Sequence, residues 1–146
     1  SRPTVFSEIK TGDLWYVPGG KSFAATFLKD AGAKYVWEND AHSGSLPLDL
    51  ETVYAKAGTA DVWINLPLVK SKTELAALDK RYTDFKAFKA GTLYNNTKHL
   101  NLKGYSTYWE TGIIFPDRIL SDLISIFHPE LRSDSNNVMY YYTQMK

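Results

Sequence analysis

Apolar residues in this chain fall into short extended runs that alternate with longer stretches of helical spacing. Thr4 to Ile9 is a short apolar run closed by Lys10-Thr11-Gly12-Asp13, a turn by composition. Leu14 to Val17 is a second extended run, broken by Pro18-Gly19-Gly20. Ser22 is a good N-cap for a helix that buries Phe23, Phe27, Leu28 and Ala31 and closes at Gly32. Tyr35-Val36-Trp37 predicts a short strand, and Glu38 to Pro47 a loop. Asp49 caps a second helix, with Leu48 and Val53 spaced as a hydrophobic staple and Gly58 at its end. Asp61 to Asn65 reads as a buried strand. Ser71 and Glu74 form a capping box for a helix carrying Leu75, Leu78, Tyr82 and Phe85. Thr92 to Tyr94 predicts another strand, followed by a polar loop from Asn95 to Lys103. Pro116 opens a last helix with Ile119, Leu120, Leu123, Ile124 and Phe127 on one stripe, and Pro129 stops it. The aromatic tail from Val138 to Tyr142 reads as a final strand or a packed strap.

This order predicts a single α/β domain over residues 1–146: a three-layer sandwich with a mostly parallel central sheet and helices on both faces. Ligands of such sheets meet the loops beyond the carboxyl ends of the strands. Here those loops are Pro18 to Lys21, Ser43 to Leu48, Leu66 to Lys70, and Asn95 onward.

Composition narrows the function classes. A net charge of +1 offers no basic field for nucleic acid. The apolar stretch from Ile113 to Phe127 is interrupted by Pro116, Asp117, Arg118 and Asp122, so it does not span a bilayer. Absence of cysteine excludes disulfides, thiol catalysis and cysteine metal sites. No signal peptide is visible, and Ser1-Arg2-Pro3 running straight into a strand is expected to be an internal start. Ten tyrosines and four tryptophans fit either a well-filled core or an aromatic recognition surface.

Catalytic signatures are missing. Gly19-Gly20-Lys21-Ser22 resembles the end of a phosphate loop, but Trp15 stands where the first glycine is required. The loop is still expected to present backbone N–H groups at a helix start to a carboxylate or phosphate. His42, His99 and His128 form no pair with helical metal-ligand spacing, and no metal site is expected. Ser43-Gly44-Ser45 is not a nucleophile elbow. Asp117 and Asp122 sit where acids favour a helix dipole. No cofactor and no enzymatic activity are expected. A small α/β enzyme of chelatase or hydrolase type stays as the alternative, with a ligand-free interaction domain behind it.

The end of the chain carries the most specific pattern. Tyr108-Trp109-Glu110-Thr111-Gly112, followed by Phe115-Pro116-Asp117 and a leucine-rich helix ending in His128-Pro129-Glu130, resembles the closing helix of class III ABC-transporter substrate-binding proteins. Ser45 to Val53 with Ala60-Asp61-Val62-Trp63-Ile64, and Phe27 to Ala33, resemble other units of the same family. The resemblance implies the C-terminal lobe of a two-lobed binder for an iron–siderophore, haem or cobalamin-like complex. It implies a missing N-terminal lobe, an ABC permease dimer as partner, and a periplasmic or extracytoplasmic, lipid-anchored protein. Ser45 stands where cobalamin-binding members carry an aromatic contact, which argues against cobalamin.

The expected ligand contacts are Tyr16, Gly19, Gly20, Lys21, Ser45, Tyr108 and Trp109, with Lys21 facing an anionic group. Trp109 and Tyr108 have a competing role, plugging the sheet end against Phe115. Glu51 matches the acidic residue that docks on a permease arginine pocket. Its plainer role is helix-dipole stabilisation, worth about 0.3–1 kcal/mol.

Overall fold

The computed structural model describes residues 2–95, 116–131, 139 and 142–146. Four strands lie parallel in the order β4 (Lys34–Tyr35), β1 (Thr4–Ser7), β6 (Val62–Ile64) and β7 (Leu93–Asn95). A terminal strand, β8 (Thr143–Gln144), joins the β7 edge antiparallel. The register sets Phe6 beside Trp63, and Trp63 beside Leu93. Those partners share one face, because side chains alternate along a strand. The rings of Phe6 and Trp63 stack with centroids 4.8 Å apart, and Phe85 stacks on Phe6 at 5.3 Å. Much of the chain's aromatic content is therefore core.

A second sheet departs from the expected layout. The run Leu14–Pro18 (β3) is not in the parallel sheet; it pairs antiparallel with β2 (Lys10–Thr11) and β5 (Ser45–Leu48). The last three residues of the expected 38–47 loop, Ser45 to Pro47, are thus strand. Trp15 fixes the ribbon to the main sheet by donating its indole N–H to the Ser7 carbonyl at 3.0 Å. Trp63 donates to the Glu8 carbonyl at 2.9 Å.

The first two helices form as their caps predict. Ser22 accepts from the Ala25 N–H at the start of α1 (Phe23–Asp30), and Asp49 from the Thr52 N–H at the start of α2 (Leu50–Ala57). Ser71 accepts from the Glu74 N–H, opening α3 (Lys72–Leu78), while the Glu74 carboxylate takes the Lys70 N–H.

The single helix expected from Ser71 to Phe85 is instead interrupted. Asp79 takes up extended backbone and accepts from Arg81 N–H, restarting the chain as a 3-10 turn (Lys80–Asp84). A short side chain that bonds its own backbone competes with the helix in this way. Leu78 is left exposed while Leu75, Tyr82 and Phe85 are buried. The chain continues as α4 (Lys86–Ala90), which ends on Gly91 at φ 74°. The last helix, α5 (Pro116–Phe127), buries Ile119, Leu123, Ile126 and Phe127. His128 Nε2 lies 3.1 Å from the Gly32 carbonyl and ties the end of α5 to the end of α1. The expected strand at Tyr35-Val36-Trp37 shortens to Lys34–Tyr35, with Trp37 in the following turn. Most of the predicted 138–142 tail strand lies outside the described residues; β8 forms just beyond it.

Candidate binding face at the carboxyl ends of the strands

Strands β1, β6 and β7 end side by side at Ser7, Ile64 and Asn95. Asn95 is buried there and donates its side-chain amide to the carbonyls of Leu66 (2.5 Å) and Val69 (2.8 Å), which ties down the loop after β6. Asn65 receives the Tyr142 hydroxyl at 2.8 Å. The backbone turns sharply here: Glu8 at φ 73°, Asn65 at φ 56° and Leu68 at φ 62° all occupy the left-handed region. Side chains other than glycine seldom adopt it, and such residues gather at binding sites.

The expected contacts on the ribbon come together in part. The Gly19 N–H donates to the Gly44 carbonyl at 2.8 Å, and the Lys21 N–H to the His42 carbonyl at 2.9 Å. Ser45 pairs with Pro18 in the register, so Gly19, Gly20, Lys21 and Ser45 form one cluster at the end of the ribbon. Lys21 is exposed, and so is Ser45. Tyr16 is exposed on β3 opposite Pro47, while its neighbours Trp15 and Val17 point into the core. Tyr108 and Trp109 lie outside the described residues.

One expectation is corrected. The N–H groups of Gly19 and Lys21 are committed to the 42–44 loop and that of Ser22 to the Gly19 carbonyl, while the Gly20 N–H helps hold the Asp40 carboxyl below its ordinary range. The loop is not an open anion cradle. Its glycines have a packing reason instead: a Cβ on Gly19 would stand 2.3 Å from the His42 carbonyl oxygen, and one on Gly20 2.4 Å from that of Asp40.

Glu51 is on the first turn of α2, with its side chain 71% exposed. Arg81 Nη1 reaches its Oε1 at 2.6 Å, and the same guanidinium holds Asp79 at 2.9 Å. Lys10 closes the chain of charges on Asp79 at 2.7 Å. Hydrogen bonds from Arg81, then Lys10, hold the Asp79 carboxyl well below the ordinary range.

No family model matches the chain. Two uncharacterized lipoproteins of Methanocaldococcus jannaschii are each 29% identical to it, over 97% and 79% of this chain but 35% and 26% of their own lengths. The TroA-like periplasmic binding protein FepB of Veillonella parvula superposes with a TM-score of 0.63 at 18% identity. That match covers 100% of this chain and 49% of the solved one. The fold is that of one lobe of a periplasmic binding protein. A periplasmic haem-binding protein of Pseudomonas aeruginosa gives 0.59 at 18% identity, covering 99% and 50%. A Helicobacter pylori protein solved with Ni(II) bound gives 0.60 at 13%, covering 89% and 39%. The chain thus spans about a third or less of the archaeal lipoproteins and half or less of the solved proteins.

On this lobe the residue that sequence reasoning passed over is Glu8. It lies near the end of the Thr4 to Ile9 run, just before the turn, the position of an ordinary surface acid. Folding places it partly buried where β1 ends, and burial raises its carboxyl to about 7. Burial, then the neighbouring Glu8 and Asp40, also push the Tyr35 hydroxyl far above its usual value. A polar residue closing a buried strand is the only signal the sequence holds. Among the described residues, no group of three or more His, Asp or Glu side chains is placed to hold a metal ion. No described helix is long and apolar enough to cross a membrane.

Proposed function

We propose that this chain is the C-terminal, ligand-closing lobe of an extracytoplasmic solute-binding protein that delivers a metal chelate to an ABC importer. The observation that carries the reading is a lobe-sized α/β unit whose strands β1, β6 and β7 present their carboxyl ends together. It matches about half of two-lobed periplasmic binders along its full length. The ligand class is an iron–siderophore complex, haem or a cobalamin-like macrocycle, supported by neighbours whose names state iron, haem or Ni(II). Lys21, Ser45, Tyr16 and the 18–21 turn line one side of the site, and Tyr108 and Trp109 are proposed to complete it. Glu51 is proposed to dock on an arginine of the permease. The lipoprotein names of the archaeal relatives support a lipid anchor on the intact protein. A binder needs convergent contacts rather than convergent titratable groups, which suits this face better than an enzyme.

The test is a titration of the intact protein, and of residues 1–146 alone, with ferrichrome, haemin and cyanocobalamin, followed by tryptophan fluorescence. The intact protein is expected to bind one of the three at least 100-fold more tightly than the lobe, because closure and half the contacts are lost in the fragment. Equal affinities, or no binding by the intact protein, would overturn the reading.

A further inference from the structure

Among the described residues, the hydrogen-bond donors around the end of β1 have other acceptors, and none reaches the Glu8 carboxyl. The Glu8 N–H is shared between the Ile64 and Asn65 carbonyls at 3.2 Å each. Trp63 donates to the main-chain oxygen of Glu8, and Trp15 to that of Ser7. The nearby phenol of Tyr35 gives its proton to the Pro18 carbonyl at 2.5 Å. Lys10, close in sequence, is committed to Asp79. The Glu8 carboxyl therefore has no hydrogen-bond or ion-pair partner among the described residues, although it is partly buried. The adjacent Ser7 hydroxyl is buried and is also without a partner among the described residues. A recessed carboxyl with no internal partner lowers stability and is retained where something else satisfies it. The backbone at Glu8 adds to that cost, since its φ of 73° suits glycine.

We infer that Glu8 is a ligand contact at the floor of the binding face, accepting a hydrogen bond from a cationic or donor-bearing group of the chelate. This rests on the solute-binding reading and specifies its ligand. A carboxylate in a desolvated site attracts an ammonium or amide N–H and repels a polyanion. The preferred chelate is then a neutral or cationic ferric complex, such as a trihydroxamate with a pendant amine. A tris-catecholate carrying several negative charges is disfavoured. The exposed Lys21 at the rim leaves room for one acidic substituent on the same ligand.

The experiment uses the intact protein with ferrioxamine B (cationic), ferrichrome (neutral) and ferric enterobactin (trianionic), measured by fluorescence titration at pH 7.5. Wild type is expected to bind ferrioxamine B or ferrichrome at least 10-fold more tightly than ferric enterobactin. Glu8→Gln should weaken the cationic complex 10-fold or more and narrow the gap to the anionic one. Thermal melting supplies a ligand-free readout: Glu8→Gln and Glu8→Gly should both melt higher than wild type. Binding of the preferred chelate that is insensitive to Glu8→Gln overturns the assignment of Glu8 alone. Lower melting for both variants does the same, by marking Glu8 as structural. Failure of wild type to bind any of the three chelates removes the ferric-chelate reading itself, and the role of Glu8 falls with it.

Discussion

Arg81 holds the Glu51 carboxylate with an Nη1–Oε1 distance of 2.6 Å, joining the first turn of α2 to a 3-10 turn 30 residues further along the chain. Both side chains are exposed, so water and salt screen the pair and it contributes little to stability. Its consequence is geometric. The guanidinium is itself held by Asp79, which limits the directions the Glu51 carboxylate can take. A docking partner with its own arginine would find that carboxylate already placed, with one oxygen facing Arg81.

Glu51→Ala in the intact protein is therefore expected to leave ligand affinity and melting temperature nearly unchanged. On the proposed docking, transport into cells and stimulation of the importer's ATPase should fall, because a charge-assisted pair with the permease would be lost. Arg81→Ala should give a milder form of the same defect. Normal uptake by Glu51→Ala would return the residue to its role at the helix start.

Glu8 gives a pH dependence of stability whose sign differs from that of the other perturbed acids. Its carboxyl titrates near 7 when folded, against 4.5 for the free group. As pH rises from 4.5, the unfolded chain releases this proton first, so stability is full at low pH and is lost as pH rises through 7. Asp79, Asp61 and Asp49 are held low by hydrogen bonds, so their stabilisation is present above the ordinary carboxylate range and is lost as pH falls below it. Urea unfolding of wild type and Glu8→Gln at pH 5 and pH 8 separates the two effects. The advantage of Glu8→Gln should widen between these values by on the order of 2–3 kcal/mol. An advantage independent of pH would show that the charge of Glu8 is not what burial penalises.

What the sequence made legible follows from how local each determinant is. The caps at Ser22, Asp49 and Ser71 act within one helical turn, and all three form as read. The buried strand around Trp63 needed only a continuous apolar run. The ribbon was not legible, because pairing of Leu14–Pro18 with Ser45–Leu48 depends on Trp15 reaching the Ser7 carbonyl of a different sheet. Helical spacing of Leu75, Leu78, Tyr82 and Phe85 was misleading because Asp79 recaps the chain, a choice that propensity alone does not decide. The turn at Gly19 to Lys21 was legible from its glycines. The partial burial of Glu8 was not legible, since it arises from the tertiary fold rather than from any motif.

Trp15 joins the ribbon to the main sheet, and its removal should be felt at that junction. It is fully buried, lies 5.7 Å from both Trp63 and Tyr82, and satisfies the Ser7 carbonyl. Trp15→Phe keeps an aromatic ring but leaves that carbonyl without its donor. Buried groups left unsatisfied cost about 1–3 kcal/mol, to which a small void adds. Chemical denaturation should therefore show a loss of at least ~1 kcal/mol, and hydrogen exchange should speed up in β3 and β5 more than in β1 and β6. Equal acceleration in all four strands would argue that Trp15 stabilises the whole core and not this junction.

Gly20 tests whether the ribbon's end is built by packing. A Cβ there would meet the carbonyl oxygens of Asp40 at 2.4 Å, Trp37 at 2.6 Å and Glu38 at 2.7 Å, all of them main chain. Main-chain atoms cannot rotate aside, so Gly20→Ala must push the 37–40 turn away from the 18–21 turn, at about 1–3 kcal/mol. That movement would draw the neighbouring Lys21 N–H off the His42 carbonyl at 2.9 Å. The expected result is a lower melting temperature together with weaker chelate binding, because the proposed contacts Lys21 and Ser45 would lose their fixed spacing. Gly44→Ala is the matched control: a Cβ at that position meets nothing within 4 Å. It should melt and bind as wild type does. If Gly20→Ala also behaves as wild type, the two turns are not held by this contact, and the cluster's geometry must come from the β3–β5 pairing alone.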